Sequence, residues 1–334
     1  MHKAMAKKKA LVTGVFGQDG SYLCEILASK GYEVYGITKH ILGANSQIIK
    51  AYLGKIGIHP KVYAVDLNNF DSLKELILQI RPDEIYHLAA FHVSAEGASN
   101  TESFKEKQLY DYNVQSTSNL LYICHEYLKE SKFVTAGSCL MFDDCDSTIQ
   151  SESTLFKSAS LYGLAKISEN MLVKYYRNQG LHASTALLFN HESSRRSNNF
   201  VTKKIVKSLV AISKQEMQTF TLGDLKAKKD WGWAKDYAYG MYLMAQTDKA
   251  KDYVLASGRS YTVSDFIKIV ADKLNINDWQ KHINVDDNII TRKMQVNLLG
   301  DWSLAKSELD WKHTLSLVQL VDLMVENELT GELA

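Results

Sequence analysis

Between Lys9 and Gly31 the chain sets out a strand, a glycine turn and a helix, and this order constrains its fold more than any other stretch. Lys9-Ala-Leu-Val-Thr13 is a short apolar run of the buried-strand type. Gly14-Val-Phe-Gly17-Gln-Asp-Gly20 follows, a G-x-x-G-x-x-G turn; Leu23, Ile26 and Leu27 then recur at helical spacing until Gly31. Glycines in such a turn let backbone approach a pyrophosphate, and the helix start offers free N–H groups and a positive dipole end. Gly14, Gly17, Gln18, Asp19 and Gly20 are therefore the expected cofactor loop.

The alternation continues. Glu33-Val-Tyr-Gly-Ile37 reads as the second strand, and the residues after it bear on the choice of cofactor. An acid there suits the ribose hydroxyls of NAD, whereas a basic residue suits a 2′-phosphate. Lys39 and His40, with no acid beside them, favour NADP, with NAD possible and plain solvated surface as the competing reading of the lysine. A third strand covers 61–66, and a helix over about 70–80 ends before Pro82. The strand from Glu84 closes on Ala89 and Ala90, small enough for a dinucleotide to lie against the backbone. Residues 94–103 are polar and read as a loop or lid. Asn113, on the helix beyond, is either a surface asparagine or a support for the active site. Phe133-Val-Thr-Ala136 is a further strand, which delivers Ser138 to the carboxyl end of the sheet. The fold class that results is α/β, a Rossmann-type doubly wound parallel sheet with ligands at those strand ends.

Tyr162 and Lys166 are four residues apart, on one face of a predicted helix. The lysine's charge favours tyrosinate and draws the phenol toward neutrality, which makes an acid/base pair. Net charge is only +1, which argues against a broad nucleic-acid surface. Cys24, Cys124, Cys139 and Cys145 show no C-x-x-C spacing, so neither a metal nor a disulfide framework is indicated. No run approaches the roughly 18 apolar residues that cross a membrane, and the lysine-rich start has no apolar stretch behind it, as a signal peptide would. The expected setting is cytoplasmic.

Ser138, Tyr162 and Lys166 with the glycine turn resemble the Ser/Thr–Tyr–Lys set of the extended short-chain dehydrogenases/reductases. Four segments narrow the resemblance to GDP-mannose 4,6-dehydratases. They are the opening Ala-Leu-Val-Thr-Gly-Val-Phe-Gly-Gln-Asp-Gly, Leu188-Phe-Asn-His-Glu-Ser-Ser-Arg-Arg196, Asn199-Phe-Val-Thr-Lys-Lys-Ile205 and Ala227-Lys-Lys-Asp-Trp-Gly232. Lys235-Asp-Tyr237 and Leu299-Gly-Asp301 through Trp311 extend it over nearly the whole chain. The resemblance implies a Rossmann domain over 1–189 with parts of 233–260, and a smaller nucleotide-sugar lobe over 190–232 and 260–334. It implies Tyr162 as acid/base at sugar carbon 4, Lys166 on the nicotinamide ribose, Ser138 on the reacting oxygen, and Asp66-Leu67 at the adenine. It places Asn190 and Lys204 on the nucleotide or diphosphate, Lys229 where the family has a substrate-binding arginine, and Arg292 on phosphate. A GDP-linked sugar and a homodimer or homotetramer are expected, the latter through the segment 41–50 with Ile41, Leu42, Ile48 and Ile49.

Three departures qualify it. The family's Ser-Thr-Ser-Glu-Leu-Tyr-Gly loop aligns with Gly137-Ser-Cys-Leu-Met-Phe-Asp143, so Leu140 replaces the glutamate that takes a proton from carbon 5 while water leaves carbon 6. Lys293 and Gln295 replace a proline and a glutamate of the ribose-binding segment, and the loop around 91–107 is longer than usual. The expectation is hydride transfer, as an oxidoreductase or epimerase, with poor water elimination. The competing readings are a true dehydratase using a displaced acid such as Asp143, Asp144 or Asp146, and a nucleotide-sugar-binding regulator.

Overall fold

The computed structural model describes residues 7–38, 42–91, 107–286, 288 and 296–333. Its centre is a seven-stranded parallel sheet. The strands are β1 (Lys9–Thr13), β2 (Glu33–Thr38), β3 (Lys61–Ala64), β4 (Glu84–His87), β5 (Lys132–Ala136), β6 (Ala183–Leu188) and β10 (Tyr253–Leu255), in the order β10-β6-β5-β4-β1-β2-β3. Every neighbouring pair is parallel. The chain reverses direction across the sheet between β1 and β4, which opens a crevice at their carboxyl ends, the position for a dinucleotide in such sheets.

The helices that flank the sheet follow from local chemistry. α1 (Gln18–Ser29) starts at Gly17 with no side chain capping its first N–H groups, which leaves them for a ligand. α3 (Phe70–Ile80) is capped by Asn69, which accepts from Ser72 N, and buries Leu73, Leu76, Ile77 and Ile80. Residues Tyr110–Gln115 form a π-helical turn that runs into α4 (Ser116–Tyr127). α5 (Leu161–Asn178) carries Tyr162 and Lys166, and Ser160 caps it by accepting from Gly163 N.

A second apolar cluster stands apart from those against the sheet and holds the smaller lobe. It joins α6 (Val201–Ser213), α8 (Val263–Lys273) and α10 (Leu317–Thr330) through Ile205, Leu209, Trp231, Phe266, Val321 and Met324, among others. Beside it lie two small sheets. One is β11 (Ser260–Thr262), β9 (Lys228–Trp233) and β7 (Asn190–Glu192); the other pairs β12 (Ile283–Val285) with β8 (Phe220–Leu222). Leu298, Ala305, Leu309 and Trp311, around α9 (Ser303–Leu309), pack instead with the core that includes β6, β10 and α7 (Ala234–Gln246).

Asp230 ties the two parts together. One carboxylate oxygen accepts from Ser257 N at 2.8 Å and Ser257 Oγ at 2.6 Å, and the other from Gly258 N at 3.0 Å and Gly300 N at 3.2 Å. The Asp-Trp-Gly segment is thus a buried junction, its aspartate fully satisfied. Among the described residues, no helix is long and apolar enough to cross a membrane.

Candidate active site

A cleft of about 740 Å³ runs from the glycine turn to the smaller lobe. Gly14, Gly17, Gln18, Asp19 and Gly20 line one end, Ser138, Leu140, Tyr162 and Lys166 its middle, and Asn190, Phe200, Lys229 and Trp231 the other end. The turn fits a dinucleotide phosphate by its shape. A Cβ at Gly20 would stand 2.3 Å from Gly14 O, so only glycine lets the loop fold tightly onto the helix start.

Two of the loop side chains face the smaller lobe. Gln18 Nε2 donates to His191 O at 3.1 Å, and Gln18 Oε1 accepts from Ser193 Oγ at 2.9 Å. Asp19 meets His191 Nε2 at 3.1 Å, while His191 Nδ1 meets Phe189 O at 2.7 Å. Both ring nitrogens thus face acceptors, an arrangement that favours the protonated ring. Burial opposes that charge, but Asp19 outweighs it and raises His191 above its ordinary value. Asp19 is lowered in turn, because the His191 charge and hydrogen bond outweigh its own burial. A histidine paired with Asp19 beside the phosphate loop is not marked in the sequence, where Asn-His-Glu-Ser is only a family segment.

Ser138 closes the turn after β5, its Oγ accepting from Leu140 N at 3.2 Å. The short 3₁₀ segment Cys139–Phe142 then lies against α5 at Gly163, where a Cβ would fall 2.2 Å from Leu140 O and 2.0 Å from Ser158 Oγ. This contact places Leu140 in the cleft wall beside the residue that follows Tyr162. Asp143 accepts from Ala159 N at 2.8 Å and is buried; Asp144 pairs with Lys157 at 3.3 Å. The acids that do line the cleft are engaged: Asp19 with His191, Glu192 with Thr202 Oγ1 at 2.7 Å and Arg196 at 3.2 Å, and Asp224 with Lys226 N at 2.8 Å.

Lys166 Nζ stands 5.8 Å from the Tyr162 ring centre. The expected fall in the tyrosine's pKa is not what the surroundings produce. Burial raises it, Lys166 draws it back, and Glu169 pushes it up again. Asn113 is buried rather than on the surface, its side chain donating to Phe91 O at 3.1 Å and accepting from Phe91 N at 2.7 Å.

The other expected contacts divide. Asn190 and Lys229 line the cleft, together with Lys226 and Lys228. Asn190 Nδ2 is buried without a hydrogen-bond partner among the described residues. Lys204 lies on α6 and is not among the lining residues. Ala89 donates its N–H to Thr13 Oγ1 at 3.1 Å beneath the cleft floor. Asp66 turns onto Asn68 N at 3.0 Å, and Leu67 O accepts from Asn119 at 2.9 Å; neither lines the cleft. Lys39, His40 and Arg292, and the substitutions at Lys293 and Gln295, lie outside the described residues, as does most of the long loop after residue 91.

A parallel sheet with a glycine cradle at its switch point, and a serine, tyrosine and lysine at the same cleft, define a dinucleotide-dependent enzyme of the short-chain dehydrogenase/reductase type. A family model, GDP-mannose 4,6 dehydratase, matches residues 11–324, and the chain belongs to that family. It is 37% identical to GDP-mannose 4,6 dehydratase 2 of Arabidopsis thaliana, over 97% of this chain and 87% of that protein. To the GDP-mannose 4,6 dehydratase of Homo sapiens it is 35% identical, over 95% and 90%. Among solved structures, the UDP-glucuronic acid 4-epimerase of Bacillus cereus with UDP-glucuronic acid and NAD superposes with a TM-score of 0.80 at 21% identity, over 97% of this chain and all of that one. The dTDP-glucose 4,6-dehydratase of Bacillus anthracis with NAD gives 0.79 at 17% identity, over 96% of each. These two likenesses are of fold.

Proposed function

We propose that the chain is a nucleotide-sugar oxidoreductase or epimerase that moves hydride at carbon 4 of a GDP-mannose-type sugar and eliminates water poorly. The observation that carries this is Leu140 in the cleft wall beside Ser138 and Tyr162, with Asp143 accepting from Ala159 N and Asp144 paired with Lys157. The glycine turn and the open start of α1 would hold a nicotinamide dinucleotide, which when bound supplies the hydride acceptor and donor. Lys39 and His40 support NADP over NAD.

Tyr162 Oη exchanges the proton of the carbon 4 hydroxyl, and Ser138 Oγ hydrogen-bonds the same oxygen. Lys166 orients the cofactor ribose and biases the phenol. Asn190 Nδ2 offers its unmet donor to the sugar diphosphate, and Lys229 offers positive charge there. Elimination needs a base at carbon 5, and a leucine supplies none; a positioned general base is worth about 10²–10⁴ in rate. Incubation with GDP-mannose, followed by product mass and nicotinamide absorbance, tests the reading.

A true dehydratase is the second reading, favoured by the identity to the Arabidopsis and human dehydratases. We infer self-association as well, through the outer face of α5, where Leu161, Leu164, Met171 and Tyr175 are exposed.

A further inference from the structure

The loop after β8 puts a carboxylate into a part of the cleft whose other charged residues are lysines. Asp224 lines the cleft there with Lys226, Lys228 and Lys229, and it is exposed. The loop is pinned on both sides of it. Leu222 O accepts from Asp286 N at 2.9 Å, Leu225 O from Ser264 N at 2.9 Å and Ala227 O from Val263 N at 3.1 Å. Among the described residues, the other acids that line the cleft each meet a basic side chain, Asp19 that of His191 and Glu192 that of Arg196. Asp224 forms no ion pair among those residues. Its Oδ1 accepts from Lys226 N at 2.8 Å, closing a local turn, and its Oδ2 has no hydrogen bond among them.

An ionised carboxylate offers acceptors only, about four lone-pair positions on its two oxygens. A diphosphate also has only acceptors, and it carries the same charge, so Asp224 repels that part of a nucleotide sugar. It suits a part that presents donors. Guanine has such an edge, where N1–H and an N2–H stand side by side and meet two acceptors at once. Uracil and thymine bring one N–H between two carbonyls, and adenine brings an amino group beside a ring acceptor. The surroundings favour a base over a ribose. Leu222 and Val263, both buried in the core of the smaller lobe, line the cleft at this loop and offer apolar surface to a flat ring.

We propose that Asp224 is a specificity-determining residue whose carboxylate accepts the paired N1–H and N2–H of guanine and so selects a guanosine nucleotide. The inference rests on reading the cleft as the site of a nucleotide sugar, and it deepens that reading by naming the group that picks the base. It also orders the substrate along the cleft. The base lies at the loop after β8, the diphosphate between Asn190 and the lysines, and the sugar toward Ser138 and Tyr162. A site built around a ligand's donors rejects the analogue that lacks one of them, because an acceptor is then left unmet.

Calorimetric titration of the full-length protein with GDP, IDP, 2′-deoxy-GDP and UDP tests this, on the parent and on Asp224→Asn. Hypoxanthine, the base of IDP, lacks the N2 amine. The asparagine can still accept from Lys226 N, so the turn survives while one acceptor becomes a donor. The parent should bind GDP about tenfold or more tighter than IDP or UDP, the scale of one paired contact to a base. Asp224→Asn should lose about tenfold on GDP and little on IDP, so that the preference between them disappears. An aspartate that serves the turn alone gives the opposite pattern: Asp224→Asn behaves as the parent, and only Asp224→Ala weakens every ligand alike. That result overturns the proposal. A parent that binds 2′-deoxy-GDP as weakly as Asp224→Asn binds GDP also overturns it, because the carboxylate then holds the ribose. A parent with no preference for GDP removes the guanosine reading and the proposal together, whereas a GDP preference untouched in Asp224→Asn removes the proposal alone.

Discussion

His87 illustrates how a single buried residue couples the sheet to the site. Thr13 Oγ1 already accepts from Leu88 N and Ala89 N, both at 3.1 Å, so its proton goes to His87 Nδ1 at 2.8 Å. His87 Nε2 then carries the ring proton toward Ser116 Oγ at 3.2 Å, and Ser116 passes its own to Tyr112 O at 2.7 Å. Every position is used by the neutral imidazole. Burial, and secondarily the Lys166 charge, push its pKa down to about 3. Between the ordinary histidine pKa of about 6.5 and that value, the unfolded chain binds a proton that the folded one refuses. The stability due to the neutral ring is therefore full above that window and declines as pH falls through it. Urea unfolding of the parent and His87→Gln across that range should show the parent losing up to about 1.4 kcal/mol more per pH unit. Parallel curves would contradict this account of His87.

At the scale of elements, α5 serves two surfaces at once. Its inner face presents Lys166 and Glu169, and its outer face carries exposed Leu161, Leu164, Met171 and Tyr175 at helical spacing. Tyr122 and Tyr127 of α4 add to the exposed apolar residues. A stripe of this kind is more than scattered surface leucines, and it is the face through which we infer self-association. The sequence pointed elsewhere, to residues 41–50. Of these, Ile49 is buried and Ile48 exposed on α2 (Ala44–Lys55), while Ile41 lies outside the described residues. Light scattering should give a dimer or tetramer for the parent, and a smaller species for the double variant Leu164→Glu, Met171→Glu. A monomeric parent would refute the assignment, and an unchanged mass in the variant would move the interface off α5.

For the whole molecule, the readable parts were those fixed by local chemistry. β1 spans the predicted Lys9–Thr13 and α3 the predicted 70–80, because apolar period and turn residues specify both. Other features depend on three-dimensional neighbours. An i, i+3 lysine–glutamate pair looks the same in sequence whether it is solvated or sealed, so nothing marked Glu169. The raised pKa of His191 needs Asp19, which comes from a distant stretch of chain, against one ring nitrogen while Phe189 O holds the other. Cofactor choice belongs to this scale too, since Lys39 follows the second strand in sequence and lies outside the described residues. Lys39→Ala should weaken NADP about tenfold or more and leave NAD nearly unchanged, as a lost charge-assisted phosphate contact implies. Equal dissociation constants for both cofactors in parent and variant would remove NADP preference from the account.

The most direct trial is of the chemistry at Leu140. The unmodified protein, given GDP-mannose and NADP, is followed by nicotinamide absorbance and product mass, with Tyr162→Phe as the blank and Leu140→Glu beside it. The account predicts hydride transfer that vanishes with Tyr162, no loss of water in the parent, and some elimination in the glutamate variant. Robust release of a 4-keto-6-deoxy sugar by the parent would contradict it.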